Sequence, residues 1–91
     1  MDQQDLKQLI SNMLDLKVLP QRCELNSVIH KKTGHKYYVT GVCLDCTNGN
    51  EDTVMVLYEN EDGFLFCREA NEFNIKFISR SKYNERKQLH A

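Results

Sequence analysis

Cys43 and Cys46 bracket Leu44 and Asp45 in a C-x-x-C spacing. Two thiolates so placed can grip one zinc ion or pair with each other as a redox couple. Cys67, Cys23, His30 or His35 would complete four ligands. Residues three apart on a straight strand point to opposite faces, so chelation requires a turn inside the motif. A second C-x-x-C is missing. A redox pair gains from opening a helix, whose dipole lowers the thiol pKa, whereas a turn and a strand follow here. In the simpler reading Cys43 extends the alternation Tyr37, Val39, Gly41, and Cys67 that of Leu65, which makes both small buried hydrophobes. The expectation is no cofactor and no metal, with Cys43 and Cys46 as the ligands if one binds.

A second group is cationic. His30, Lys31, Lys32, His35 and Lys36 precede Tyr37 and Tyr38. Basic side chains beside aromatic faces suit single-stranded nucleic acid, with phosphates on lysine and bases stacked on rings. Glu51, Asp52, Glu59, Glu61 and Asp62 lie in loops at neighbouring strand ends and would repel phosphates. Arg68 ends an aromatic strand and precedes Glu69. It reads either as a surface ion pair or as a guanidinium fork for an anionic, nucleotide-like ligand, together with Tyr38 or Tyr58. A cysteine or serine nucleophile beside His30 or His35 has no local signature to orient it. No enzyme is expected.

The elements that must carry these groups follow from periodicity. Leu6, Leu9, Ile10, Met13 and Leu14 line one face of a helix. Asp2 caps it, Asp5 suits its positive end, and Val18-Leu19-Pro20 close it. The period then falls to two. Val28 to His30, Lys36 to Leu44, Thr53 to Tyr58 and Phe64 to Arg68 predict strands. Turns are predicted at 32–35, 47–50 and 60–63. Gly41 predicts a bulge inside its strand. Phe73, Phe77 and Ile78 predict a last short strand or helical turn, and the basic tail from Ser79 to Ala91 a frayed end or surface helix. The expected fold is α+β: a helix over residues 1–20 packed on a strongly bent antiparallel module over 21–78, an SH3-like half-barrel of four or five strands, with the tail over 79–91. Helix and sheet form one domain.

Ninety-one residues leave little interior for a deep active site. A formal charge of −1 gives no global field to attract nucleic acid or an anionic membrane. No apolar run is long enough to cross a membrane, and the acidic start Met1-Asp2-Gln3-Gln4-Asp5 is unlike a signal peptide. A cytoplasmic location is expected, and with it free thiols at all four cysteines.

The β region also carries a pattern. Gly34-His35-Lys36-Tyr37-Tyr38-Val39-Thr40-Gly41-Val42 fits G-x-x-Y-x-V-x-G-V, and His30-Lys31-Lys32 fits a preceding H-x-K. Val56-Leu57-Tyr58 stands where V-V-Y follows, and Gly63 to Glu69 resembles G-x-x-W/F-V-R-P, with Phe66 for tryptophan and Glu69 for proline. Glu72-Phe73 then stands for a closing E-x-F element. Over residues 28–78 the chain resembles a family of small bacterial and phage domains of unknown function. That resemblance implies a compact β module of bacterial or phage origin, in the host cytoplasm if phage-encoded, and no reaction. The functional expectation is a non-enzymatic module binding another macromolecule, a protein in preference to nucleic acid or a small anion. A helix stripe left uncovered by the sheet would add a homodimer surface.

Overall fold

Asp2 opens the first helix as expected, its Oδ1 accepting from the Asp5 N–H at 2.9 Å. In the computed structural model, which describes residues 2–46 and 53–89, this helix (α1) runs Gln3–Leu14. It ends before Val18-Leu19-Pro20. Asp15 turns into the left-handed region at φ 54°, and the N–H groups of Asp15 and Leu16 both return to the Ser11 carbonyl. Leu6, Ile10 and Leu14 are buried and Met13 is partly buried, while Leu9 is exposed. The apolar stripe is thus one residue narrower than its spacing predicts.

Five strands follow: β1 Ser27–His30, β2 Lys36–Asp45, β3 Thr53–Asn60, β4 Leu65–Glu69 and β5 Phe77–Ser79. They form one open antiparallel sheet in the order β4-β3-β2-β1-β5. Helix α2 (Ala70–Lys76) joins β4 to β5, and α3 (Arg80–Leu89) follows β5. The stretch Phe73 to Ile78 therefore supplies both a helical turn and a strand. The architecture is a small α+β fold. The predicted turn at 47–50, with Glu51 and Asp52, lies outside the described residues.

Both described hairpins turn on a glycine with positive φ. Gly34 has φ 77° and donates to the His30 carbonyl, and Gly63 has φ 88° and donates to the Asn60 carbonyl. The bulge falls at Thr40, where the β2–β3 register slips between Val39 and Gly41. Its consequence is a change of phase. Without the extra residue, Tyr37, Val39, Gly41 and Cys43 would share a face. With it, Val42 joins Val39 in the core, and Cys43 and Gly41 turn to the other side. Leu57 packs against Gly41 there, 3.3 Å from where a β-carbon would stand.

The inner face carries Val28, Val39, Val42, Val56 and Tyr58, which bury with α1 and with Ala70, Phe73 and Phe77 in one cluster. The outer face has two ends. At the β5–β1 end, Ser27, Ile29 and Ile78 are buried where α3 lies against β1 and β5. At the β3–β4 end the facing residues are half-buried or exposed. Asn26, in the link before β1, is wholly buried and bonded on every side. Its Nδ2 donates to the carbonyls of Leu19, Gln21 and Val39 at 2.8–3.0 Å, and its Oδ1 accepts from the Cys23 N–H.

Candidate functional site

Arg68 stands on the inner face of β4, opposite Val56. Its Nε lies 3.3 Å from the Tyr58 hydroxyl, and its Nη1 donates to Glu72 Oε1 at 2.7 Å. The guanidinium also lies 5.9 Å from the Phe77 ring centroid, so residues of both edge strands meet there. Below it is an aromatic floor: Tyr58 packs against Phe66, Phe73, Phe77 and Tyr37, and Phe73 stacks on Phe77 at 4.1 Å. These bonds to Tyr58 and Glu72 hold the guanidinium above its already high pKa. The ion-pair partner is Glu72, one helical turn on. Glu69 instead caps α2, its carboxylate accepting from the N–H groups of Asn71 and Glu72. Arg68 is thus a fastener between the edge strands, with its hydrogen bonds already directed into the protein.

The expected basic hairpin is divided between the two faces of the sheet. His30 turns inward, its ring edge-on to Phe77 at 4.9 Å, and its Nδ1 accepts from the Thr33 N–H. Burial lowers its proton affinity, and so do the neighbouring charges of Arg68, Lys76, His35 and Lys32. Tyr37 also faces inward. Lys36 and Tyr38 face the other way. The Lys36 ammonium sits 5.4 Å from the Tyr38 ring centroid and is bonded to Glu24 at 2.6 Å, a contact that raises the Lys36 pKa and lowers that of Glu24. Of the expected cations only Lys31, Lys32 and His35 are exposed. Alternation alone separates Tyr37 from Tyr38, so no single surface presents both rings beside the cations.

The cysteines are dispersed. Cys43 is half-buried on the outer face, where burial first and then Cys67, Asp45 and Cys46 push its thiol pKa up. Cys46 is exposed and its Sγ lies 3.8 Å from the Leu44 carbonyl oxygen. Cys67 is exposed on β4, contrary to the buried reading, because it faces outward on an edge strand. All four thiols are free. Among the described residues no three histidine, cysteine or acidic side chains are grouped to hold a metal.

What the residues do build is an exposed apolar edge. Phe64 is 67% exposed, Leu65 61% and Phe66 41%. Among the described residues strand β4 is the sheet's outer edge on this side, paired only with β3. The hairpin fixes which of its amides are free. The Asn60 N–H donates to the Phe64 carbonyl, so Phe66 and Arg68 are the next residues whose backbone groups face β3. Those of Leu65 and Cys67 point away. Outward side chains continue onto β3 and β2 in rows: Leu65 beside Glu59 and Tyr38, Cys67 beside Leu57 and Gly41, and Glu69 beside Met55 and Cys43. Arg22 holds this corner in place. It pairs with Glu59 at 3.3 Å, and its Nη1 donates to the Glu61 carbonyl at 2.6 Å. Sequence reading passed over Arg22, whose partners lie almost forty positions away.

A groove of about 610 Å³ lies beside the outer face. Ile29, His35, Lys36, Glu61, Arg80 and Tyr83 contribute to its lining, so it carries both signs of charge. Among the described residues no helix is long and apolar enough to cross a membrane. Compared with protein families, with curated proteins and with solved structures, the chain matches none of them.

Proposed function

We propose that the protein is a non-enzymatic binding module, a bacterial or phage accessory protein, that takes a protein partner along β4. The partner supplies an extended segment that adds to the sheet beside Leu65 and Cys67 and covers Phe64 and Leu65. The observation that carries this reading is a run of exposed apolar side chains at an edge strand that is paired on one side only among the described residues. Folded proteins usually blunt such edges with lysine, proline or a covering loop, because free amides and apolar side chains together template strand addition. The Phe64-Leu65-Phe66-Cys67 stretch has no lysine and no proline.

The scaffold reading is an SH3-like half-barrel. It is supported by the return of β5 to the free side of β1 and by Arg68 of β4 reaching Phe77 of β5. Binding through Arg68 is less favoured, since its Nε and Nη1 already bond to Tyr58 and Glu72. The hairpin as a stacking platform for nucleic acid is less favoured as well, since its tyrosines face opposite ways.

The test compares crosslinked capture from bacterial lysate by the wild-type chain and by Leu65→Asp. A partner recovered by the first and lost by the second, with an unchanged circular dichroism spectrum, is the expected result. The same proteins recovered by both, or none, would sink the reading.

A further inference from the structure

A cavity of about 90 Å³ opens where the end of α1 meets α2, β5 and α3. Its apolar wall is Met13, Leu14, Phe77 and Ile78. Its polar lining is Lys31, Asn74, Ser79, Lys82 and Arg86, and no carboxylate is among them. The acids that form ion pairs among the described residues are Glu24, Glu59 and Glu72, and their partners are Arg22, Lys36, Arg68, Lys76 and Arg80. Lys31, Lys82 and Arg86 are not among those partners.

Three features suit this place to an oxyanion. The fold brings Lys31, from the β1–β2 turn, to two cations one helical turn apart on α3, so residues remote in sequence converge. The buried Ser79 hydroxyl has only long contacts, 3.4 Å from both Ser81 Oγ and the Lys82 amide nitrogen, so its hydrogen-bonding capacity is lightly used. The volume matches about three waters at about 30 Å³ each, room for a tetrahedral anion but not for a nucleoside.

We propose that Lys31, Lys82 and Arg86, with Asn74 and Ser79, form a binding site for a phosphate group. Two ammonium groups and a guanidinium neutralise the charge, and the amide and hydroxyl complete the shell of donors. The phosphate belongs either to a free small anion or to a polynucleotide backbone whose sugars and bases lie outside the cavity. The competing explanation is that Lys82 and Arg86 merely offset the negative end of α1, which has no basic residue in its last turn.

The test is amide chemical-shift mapping at low ionic strength, with inorganic phosphate in one arm and a short oligothymidylate in the other. Saturable shifts at Lys31, Asn74 and Ser79 to Lys82 are expected in at least one arm. Saturation by phosphate identifies a small-anion site, and saturation only by the oligonucleotide identifies a backbone site. In the latter case the double variant Lys82→Ala/Arg86→Ala should flatten the slope of log affinity against log salt by about 1.4, at about 0.7 per contact. In either arm each removed cation should weaken binding about tenfold, whereas Lys32→Ala, in the same turn but outside the cavity, should change it less than about twofold. The proposal is overturned if neither ligand shifts these amides, or if Lys32→Ala weakens binding as much as the pair. It is overturned too if the double variant lowers the unfolding midpoint and leaves anion affinity intact, the signature of helix-end compensation.

Discussion

One face of one sheet has two different fates. At the β5–β1 end, Ile29 and Ile78 turn outward and are sealed where α3 lies against their strands. At the β3–β4 end, Leu65 and Cys67 turn outward by the same alternation and remain exposed. The residue types are alike, so side-chain character does not decide the difference. What decides it is which neighbour the chain supplies: α3 follows β5 directly and covers that end, and no described element covers the other. The uncovered end is where the partner proposed above would add.

The largest effect should come from breaking the covered end. Ile29→Ala opens a cavity beneath α3 and should cost about 2–5 kcal/mol, against no more than about 0.5 kcal/mol for Leu65→Ala. Urea unfolding of the two variants measures the contrast directly. Equal losses would mean that the two ends are packed alike and that β4 is no free edge. Asn26→Ala ranks next. It leaves the Leu19, Gln21 and Val39 carbonyls and the Cys23 N–H without their shared partner; only the Val39 bond is fully buried, so the loss is about 1–3 kcal/mol in all. The same unfolding curves report it, and a loss below about 0.5 kcal/mol would mean that water takes over those bonds.

Much of the scaffold is legible in the sequence for one reason: the signals are local. Asp2 as a cap, the strand alternation and the turn at 60–63 each depend on neighbours within a few positions. The site is less legible because its determinants are not local. Gly41 signals the bulge, but the extra residue falls at Thr40 and reverses the phase of β2, which places Val42 in the core and Cys43 outside against the plain alternation. Asn26 looks like linker until Val39 lies beside it, and Lys31 looks like hairpin decoration until α3 brings Lys82 and Arg86 to it. Exposure of β4 depends on strand order, which pairs β5 with β1 and leaves β4 at the edge.

The thiols sharpen the same contrast through rates. Cys67 and Cys46 are exposed, while Cys43 is half-buried with its thiol pKa pushed up. Since the thiolate is the reactive species, iodoacetamide at neutral pH should modify Cys67 and Cys46 before Cys43. Mass mapping of a time course gives the order. Cys43 reacting first would mean that the outer face of β2 and β3 opens readily in solution.

The smallest effect concerns His30, half-buried on the inner face of β1. Its pKa is lowered, chiefly by burial and then by Arg68, Lys76, His35 and Lys32, so the folded protein binds this proton less readily than the unfolded chain. A depressed pKa contributes stability that is fully present above the unfolded value of about 6.5 and is lost as pH falls through the lower folded value. The geometry agrees in sign. Thr33 donates its N–H to the unprotonated Nδ1, and protonation would place a charge near Arg68, Lys76 and Lys32. The unfolding midpoint should therefore drop between pH 7.5 and 5.5 in the wild type and drop less in His30→Gln, which cannot titrate. An identical pH dependence in both chains would assign the slope to other groups. A steeper slope in the variant would reverse the sign and show that His30 gains a proton on folding. Because the carboxylates of Glu24 and Glu72 are also held below their usual range, their own losses begin only in more acidic solution and leave this window to the imidazole.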